Sequence, residues 1–316
     1  MPTFSLTVPA GFEIQRVDKF LSGSDVVVRE CGNSNRSHLK TVVTGILVNG
    51  NSAKFSTKIR GGDTILVEWE ENIPQDIAPQ DIPLDIVYED DNVTVVNKTQ
   101  GMVTHPAAGN WDGTLVNALL FHWGCSPVKF SAHRPGIVHR LDKDTSGLII
   151  TAKNPLAEKW LQRQFQERLV KKEYIAIVCG RPPERTGSIK TQIVRDPKNR
   201  KRFKAVTDTD GGKFAHTVYR CVASYGAFSL VRLRLKTGRT HQIRVHMKYI
   251  GCPILGDPIY GNKSMLFPDA TLMLHSRLLG IRLPDSNQLK EFKADVPVRF
   301  KAVLRVLHKK YPKSVT

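Results

Sequence analysis

Cysteine is scarce and scattered in this 316-residue sequence. The five cysteines are Cys31, Cys125, Cys179, Cys221 and Cys252, and no two form the Cys-x-x-Cys pair of a structural zinc site. Their odd number also disfavours a framework of disulfide bonds, which is typical of small secreted proteins. We therefore expect free thiols in a reducing, cytoplasmic environment.

Long apolar runs are absent as well. No stretch approaches the roughly 18–20 apolar residues that are needed to cross a bilayer. The first residues lack the basic and apolar regions of a secretory signal, so an intracellular protein is expected. Hydrophobic residues nevertheless make up 41% of the chain, which allows a substantial core, and the length suits two domains or one large domain with an appendage.

Acidic residues are also few. The chain has 29 of them against 47 Lys and Arg, a net charge of +18. Residues 1–75 contain eight basic and eight acidic residues, so the whole excess lies in residues 76–316, with 39 basic and 21 acidic. Such an excess favours a polyanionic partner. A merely soluble basic surface is the alternative, and a membrane surface is disfavoured because no basic amphipathic anchor is evident.

A proline-rich segment divides the chain. Residues 73–85 contain Pro74, Pro79 and Pro83 and have neither helical nor strand periodicity, which predicts a linker. The sequence therefore predicts a small N-terminal domain over residues 1–72 and a larger domain over residues 86–316.

The N-terminal segment has the order helix, helix, hairpin, strand. Residues 16–21 and 36–43 predict helices, residues 46–51 a strand with an Asn-Gly turn, and residues 58–67 a further turn and strand. This order resembles the S4 RNA-binding fold, although the spacing around residues 31–35 departs from it, and a generic α+β module is the alternative. The matching positions are Arg16, Asp18, Lys19, Arg36, Ser37, Leu39, Val48, Asn49, Gly50, Gly62 and Asp63. The resemblance implies RNA contacts from Arg16, Lys19, Arg36, Ser37 and Lys40.

The C-terminal segment consists of many short β-rich runs with few helices. Asn154-Pro155 predicts a helix start, and the helix is expected to reach about residue 168. Residues 174–178 predict a strand, and residues 217–224 and 228–235 predict a hairpin. Two further helices are predicted, from Thr240 to Gly251 and over about residues 297–310. The expected fold class is α+β, with a mainly antiparallel mixed sheet.

A polar loop between two apolar runs is the strongest local signal. It is the peptide His-Arg-Leu-Asp-Lys-Asp-Thr-Ser-Gly over residues 139–147, and it contains Asp142 and Asp144. A loop held between buried strands is a rigid mount for a functional carboxylate. By spacing alone, a turn in which both aspartates bond their own backbone is an equal alternative.

This loop resembles the signature of the ribosomal-RNA-type pseudouridine synthases, and the resemblance extends over roughly residues 11–310. Further matching peptides are Val95–Lys98 with Gly101 and His105-Pro106, Lys172–Ala176, Lys236–His246 and Gly251–Gly261. The S4-like segment in front narrows the resemblance to the D-type large-subunit enzymes. Thr99 stands where the family usually has proline, and Cys252 where histidine is common, which puts only local loop shape in doubt.

The resemblance implies an enzyme that detaches uracil from ribose C1′ and reattaches it through C5, without cofactor or metal. Asp142 would be the catalytic carboxylate, whereas Asp144 is expected to be a turn residue. Tyr174 would stack on the uracil and assist proton removal; the alternative is a core aromatic. Arg244 would keep Asp142 ionised, and its alternative is a solvated helix charge. Arg140 would help to extrude the target base.

The remaining predicted substrate contacts come from the same motifs and from a basic segment over residues 195–204. They are His139, Lys98, His105, Arg239, Thr240, His241, Arg200 and Arg202. Helical spacing places His246 on the apolar face of the helix that begins at Thr240, so it is expected to be a core residue.

The overall prediction is a monomeric RNA pseudouridine synthase acting on large-subunit ribosomal RNA or pre-ribosomal particles. A transfer-RNA or small-subunit target stays open. Two rival hypotheses are a non-catalytic RNA-binding protein and a hydrolytic RNA nucleosidase. A nucleosidase would need a second carboxylate to activate water, and none is evident beside Asp142.

Overall fold

Two units make up the computed structural model, Met1–Asp76 and Ile77–Thr316. The structure describes residues 2–31, 36–70, 77–106, 110–125, 135–199, 201–207 and 211–311, with the backbone alone at residues 28, 29, 37, 38 and 41. In this part of the chain, no helix is long and apolar enough to cross a membrane.

The described residues of unit 1 form one small sheet, a two-stranded ribbon and three short helices. Its elements are β1 (Thr3–Thr7), β2 (Gln15–Arg16), α1 (Val17–Leu21), α2 (Asp25–Cys31), α3 (Arg36–Val42), β3 (Val43–Val48), β4 (Asn51–Ser52), β5 (Lys58–Ile59) and β6 (Thr64–Trp69). The sheet has the order β1-β6-β3-β4, and β2 pairs with β5. The predicted Asn-Gly turn joins β3 to β4, because Asn49 and Gly50 both adopt the positive φ that this turn requires.

Unit 2 is organised around one ten-stranded sheet. Its elements are β7 (Ile86–Glu89), β8 (Val93–Lys98), α4 (Leu115–His122), β9 (Ser146–Ala152), α5 (Pro155–Gln166), β10 (Lys171–Cys179), β11 (Thr186–Arg195), β12 (Phe203–Val206), β13 (Lys213–Tyr225), β14 (Phe228–Leu235), α6 (Gln242–Tyr249), β15 (Leu274–Arg282), β16 (Leu289–Lys293) and α7 (Val298–Lys310). The strand order is β12-β11-β13-β14-β10-β15-β9-β8-β7, with β16 beside β15. Pairing is antiparallel except between β9 and β15, which confirms the predicted fold class.

The middle of the sheet is buried on both faces. Every residue of β9 is buried; Ile149 belongs to the larger core of the unit, whereas Leu148 and Ile150 belong to a second core on the other face. The apolar run in the sequence therefore continues through consecutive residues instead of alternating. A strand covered on both faces provides a firm base for the loop at residues 139–145.

The segment predicted as a linker, residues 73–85, is in part packed on unit 2. Ile77 is buried in the larger core, Asn117 Nδ2 donates to the carbonyl of Ala78, and the backbone N–H of Gly113 donates to Gln80 Oε1. The predicted linker is thus too long at its C-terminal end. The contacts come from α4 and the loop before it, and α4 was not anticipated from the sequence.

Candidate active site

A cavity of about 410 Å³ opens at one edge of the unit 2 core. Three segments line most of it: residues 138–145 before β9, residues 165–174 from the end of α5 into β10, and residues 235–244 from β14 into α6. Among the lining residues, Asp142 is the one carboxylate, against six Lys and Arg side chains. This site therefore combines a single acid with a strongly cationic surround.

Backbone carbonyls hold the loop that carries Asp142. Thr104 Oγ1 donates to the carbonyl of Leu141 at 2.9 Å, and Gln100 Nε2 donates to that of Asp144, also at 2.9 Å. These anchors, from the segment after β8, fix the backbone on both sides of Asp142. Its side chain is 19% exposed and lines the cavity, whereas Asp144 does not line it.

Lys98 is a third anchor of the same loop. Its side chain is fully buried, and Nζ donates to the carbonyls of Thr99, Met102 and Lys143 at 2.8–3.2 Å. Burial lowers the pKa of Lys98 to about 8, although the charges of Asp142 and Asp144 oppose the shift. All three ammonium protons are used inside the protein, so the prediction that Lys98 binds substrate is corrected to a structural role.

Close packing of β9 against β15 determines the end of the loop. Gly147 lies at φ 112°, and a Cβ atom there would collide with the backbone of Ser276. Beside it, the Ser146 hydroxyl bonds His275 Nδ1 at 2.9 Å and accepts from Arg299 Nη2 of α7 at 2.6 Å. The Ser-Gly pair at the end of the motif is therefore explained by strand packing.

Tyr174 projects into the cavity from β10. It is buried and bonds the side chain of Ser276 on the neighbouring strand β15. Burial raises the pKa of the phenol to about 12, and the nearby charge of Asp142 acts in the same direction. Tyr174 therefore carries its proton at neutral pH and presents a neutral aromatic surface to the cavity.

Arg244 on α6 bridges two carboxylates. Its side chain is 3% exposed; Nε and Nη2 bond the two oxygens of Asp257 at 2.8 and 2.7 Å, and Nη1 lies 3.4 Å from Asp142 Oδ2. Burial alone would raise the pKa of Asp257, but the hydrogen bonds and charge of Arg244 bring it below its usual value. The guanidinium is thus held in a bidentate geometry that presents Nη1 to Asp142.

Two histidines also line the cavity. His241 has a left-handed backbone at φ 54°, bonds the hydroxyl of Tyr260 through Nδ1 at 2.9 Å, and places Nε2 3.8 Å from Asp142 Oδ2. His139 stacks on Phe165, and its Nε2 accepts the Ile150 backbone N–H. Burial lowers the pKa of His139 to about 3, with the charge of Lys172 acting in the same direction, so this ring is neutral.

Comparison with known proteins decides the family. The model of the family described as RNA pseudouridylate synthase matches residues 92–249, which contain Asp142, Tyr174 and Arg244. The Borreliella burgdorferi protein named ribosomal large subunit pseudouridine synthase D is 42% identical over 302 residues, covering 93% of this chain and 90% of that protein. The chain belongs to the RNA pseudouridylate synthase family. It is an RNA pseudouridine synthase, an isomerase that acts on RNA.

Other proteins similar to this pseudouridine synthase come from Oryza sativa and from human. RNA pseudouridine synthase 2, chloroplastic, from Oryza sativa is 37% identical and covers 95% of this chain and 81% of its own length. The solved structure of human RNA pseudouridylate synthase domain containing 4 has a TM-score of 0.55 at 26% identity, covering 71% of this chain and 92% of that one. The α+β fold class and the family predicted from the sequence are therefore confirmed.

The structure of this pseudouridine synthase brings most of the predicted site residues together. Those that line the cavity are Asp142, Tyr174, Arg244, His139, Arg140, Arg239, Thr240 and His241. His105 and Arg202 do not line it, and Arg200 lies outside the described residues. His105 was predicted from a family motif and Arg202 from the basic segment over residues 195–204, and neither belongs to the three segments that line most of the cavity. The described part of the chain has no group of three or more His, Cys, Asp or Glu arranged for a metal ion.

Sequence reasoning missed several residues that position the site. Asp257, which orients Arg244, follows Gly256 in the motif at residues 251–261, and its Oδ1 also accepts the backbone N–H groups of Ile259 and Tyr260. The available signal was that Asp257 is the acidic residue of Gly251–Gly261, a peptide that matches the family. His246 was placed correctly, because it is fully buried and bonds Thr191 and Thr217.

Proposed function

We propose that this enzyme isomerises uridines of large-subunit ribosomal RNA, with Asp142 as its catalytic residue. Three relatives, at 39–42% identity, carry the name ribosomal large subunit pseudouridine synthase D. The observation that carries the proposal is that Asp142 is the one carboxylate among the described residues that line the cavity, which Tyr174 and Arg244 also line. Breaking and remaking a glycosidic bond without net hydrolysis needs a carboxylate at the sugar or base, and a second one would activate water.

The roles of the individual groups follow from their environment. Arg244 keeps Asp142 charged and directed, so that the carboxylate can attack as a nucleophile or stabilise the oxocarbenium-like sugar. Tyr174 gives the flipped uracil a neutral stacking surface. The Tyr174 phenol is protonated at neutral pH. It can accept the C5 proton of the uracil only if substrate binding lowers its pKa and deprotonates it; otherwise another group accepts that proton.

Entry of the uridine requires that it leave its RNA stack, at a cost of a few kcal/mol. Arg140 is exposed at the rim of the cavity and belongs to the same loop as Asp142, so it is placed to occupy the space that the base vacates. Arg239 and Thr240 line the same opening, and His241 lies deeper, beside Asp142. These residues form the proposed substrate surface.

We further propose that unit 1 is an S4-like RNA-binding module. Arg16 and Arg36 both bond the buried carboxylate of Asp18 while about half of each arginine side chain stays exposed. One buried acid thereby orders two cations at the surface. Lys19 and Lys40 are exposed on the same helical region, and the Ser37 side chain lies outside the described residues. A cytoplasmic location, a monomeric state and pre-ribosomal substrates remain predictions.

The test is pseudouridine mapping of large-subunit rRNA incubated with the wild-type enzyme and with Asp142→Asn. The variant is expected to form no detectable pseudouridine, because the amide cannot act as nucleophile, and to bind RNA as the wild type does. Asp144→Asn is the matched control and should retain activity. Normal turnover by Asp142→Asn would contradict the role of Asp142, and modification of other RNA alone would contradict the proposed target.

A further inference from the structure

One wall of the cavity carries positive charge that no carboxylate of the described residues offsets. This α5–β10 wall, residues 165–172, contributes Phe165, Gln166, Arg168 and Lys172 to the lining. Lys172 lies two residues before Tyr174 on β10, so both side chains project from the same face of the strand into the cavity.

Lys172 is enclosed without an acidic partner. Its Nζ lies 5.5 Å from the centroid of the Phe165 ring, and a Cβ atom added to Gly238 would lie 3.7 Å from it. Among the described residues, no hydrogen bond or salt bridge of Nζ is found, and burial lowers its pKa without any opposing carboxylate. The adjacent Lys171, by contrast, pairs with Glu291 at 2.6 Å.

An enclosed ammonium of this kind is unfavourable until an anion reaches it. Burying a charge costs free energy unless it is paired, and a second protein carboxylate in this cavity would compete with Asp142. The phosphates of an RNA strand entering the cavity would supply the missing partner. The Phe165 ring and the neutral His139 stacked on it form the floor beside this position.

Arg168 adds a second cation at the rim, at a conformational cost. It follows the C-cap residue of α5 and has φ 60°, a left-handed position where glycine is usually preferred. Its side chain is exposed and lines the cavity. Strained residues of this kind cluster at ligand-binding sites, where the side chain is needed for a purpose other than stability.

We propose that Lys172, with Arg168 at the rim, binds a backbone phosphate of the RNA strand next to the target uridine. This inference rests on the proposed function, because it assumes that RNA enters this cavity. It assigns Lys172 to binding and positioning, and it leaves the chemical step to Asp142.

The test measures binding of the full chain to a short oligouridylate and to a large-subunit rRNA transcript over a range of salt concentrations. Lys172→Met keeps the length of the side chain and removes its charge. It is expected to weaken binding about tenfold and to reduce the slope of log affinity against log salt by about 0.7, the effect of one phosphate contact on a single strand. Lys171→Met is the matched control and should keep the wild-type slope.

Turnover and stability separate this role from others. Lys172→Met should raise KM for RNA while kcat stays within about threefold of wild type, since uniform binding is lost. Its Tm should be equal to or higher than that of the wild type, because a half-buried charge without a carboxylate partner among the described residues has been removed. Arg168→Gly should likewise keep or raise Tm, through relief of the left-handed strain, and should weaken RNA binding.

Lys172→Arg keeps the charge and should retain most of the affinity and the salt slope. An unchanged slope in Lys172→Met, or an equal loss of slope in Lys172→Arg, would overturn the proposal. A fall in kcat without a change in KM would do the same. Absence of pseudouridine in wild-type reactions, with a Lys172-dependent slope intact, would instead refute the proposed function and leave this binding position standing.

Discussion

The two sides of the cavity differ in how their charges are arranged. On the anchored wall, formed by the Asp142 loop and Arg244, the guanidinium is paired with Asp257 and directed at Asp142. On the α5–β10 wall, Lys172 and Arg168 face the cavity without a carboxylate partner in the described part of the chain. A preorganised wall suits chemistry, where groups must not move, and an unpaired wall suits a polyanion that brings its own charge.

Among the residues that support Asp142 and Arg244 without reacting themselves, the largest effect is expected from breaking the anchored wall at Asp257. Asp257→Ala leaves a buried guanidinium with Asp142 as its remaining carboxylate among the described residues, at 3.4 Å. We expect a loss of about 3–5 kcal/mol in the free energy of unfolding and a fall in turnover of about 100-fold from misplacement of the site. Urea unfolding and single-turnover assays measure the two effects.

Asp269→Ala is the control for that experiment, because Asp269 is an exposed acid nearby in the sequence. It should behave as the wild type does. An Asp257→Ala enzyme with wild-type stability and turnover would show that Arg244 needs no second carboxylate, and the two walls would then not differ as described.

A smaller effect is expected at the support behind the Asp142 loop. Arg299→Met removes the hydrogen bond to the Ser146 hydroxyl, a charge-assisted bond that contributes about 1.5–3 kcal/mol. We expect kcat to fall about tenfold with KM for RNA nearly unchanged, the opposite of the pattern expected at Lys172. Arg305→Met, on the exposed side of α7, is the matched control. A rise in KM instead would indicate that Arg299 contributes to RNA binding, as proposed for Lys172.

The smallest effect is expected at His246, two positions after Arg244 on α6. Burial lowers the pKa of His246 to about 4, so it stays neutral in the folded protein where an unfolded histidine, with a pKa of about 6.5, binds a proton. The associated stability is complete above pH 6.5 and decreases as the pH falls towards 4, by up to about 1.4 kcal/mol per pH unit.

Unfolding free energies measured at pH 7 and pH 5 test this prediction. The difference between the two should be about 1–2 kcal/mol smaller in His246→Gln than in the wild type. Lys301→Gln, at an exposed position on α7, should leave the difference unchanged, because a lysine does not titrate in this pH range. An identical pH dependence in all three proteins would show that His246 is not the group responsible.

How far the sequence predicts this site depends on the range of each contact. The periodicity of α6 placed His246 in the core, since that depends on local geometry, whereas the pairing of Arg244 with Asp142 was predicted from the family resemblance. The sequence likewise predicted that Asn154 begins α5, and the Asn154 side chain accepts the Ala157 N–H as an N-cap does. Local patterns and family motifs therefore predict the elements and the central residues.

Long-range contacts could not be read from the sequence in the same way. Lys98 matched a motif, but its confinement depends on carbonyls at Met102 and Lys143, which the fold brings to it. Arg299 bonds Ser146 across 153 positions of sequence, and no spacing rule connects them. Motif membership identifies residues that matter to the site, whereas the fold decides whether they contact substrate or hold the residues that do.

The position of β15 has a consequence for how the enzyme folds during its synthesis. This strand comes late in the chain but lies between β10 and β9, which are made about a hundred residues earlier. A ribosome-bound chain that lacks β15 exposes two unsatisfied strand edges and cannot complete the seat of the Asp142 loop. We therefore expect a chain made only as far as β14 to be inactive and prone to aggregation, and the site to form only after β15 has left the ribosome.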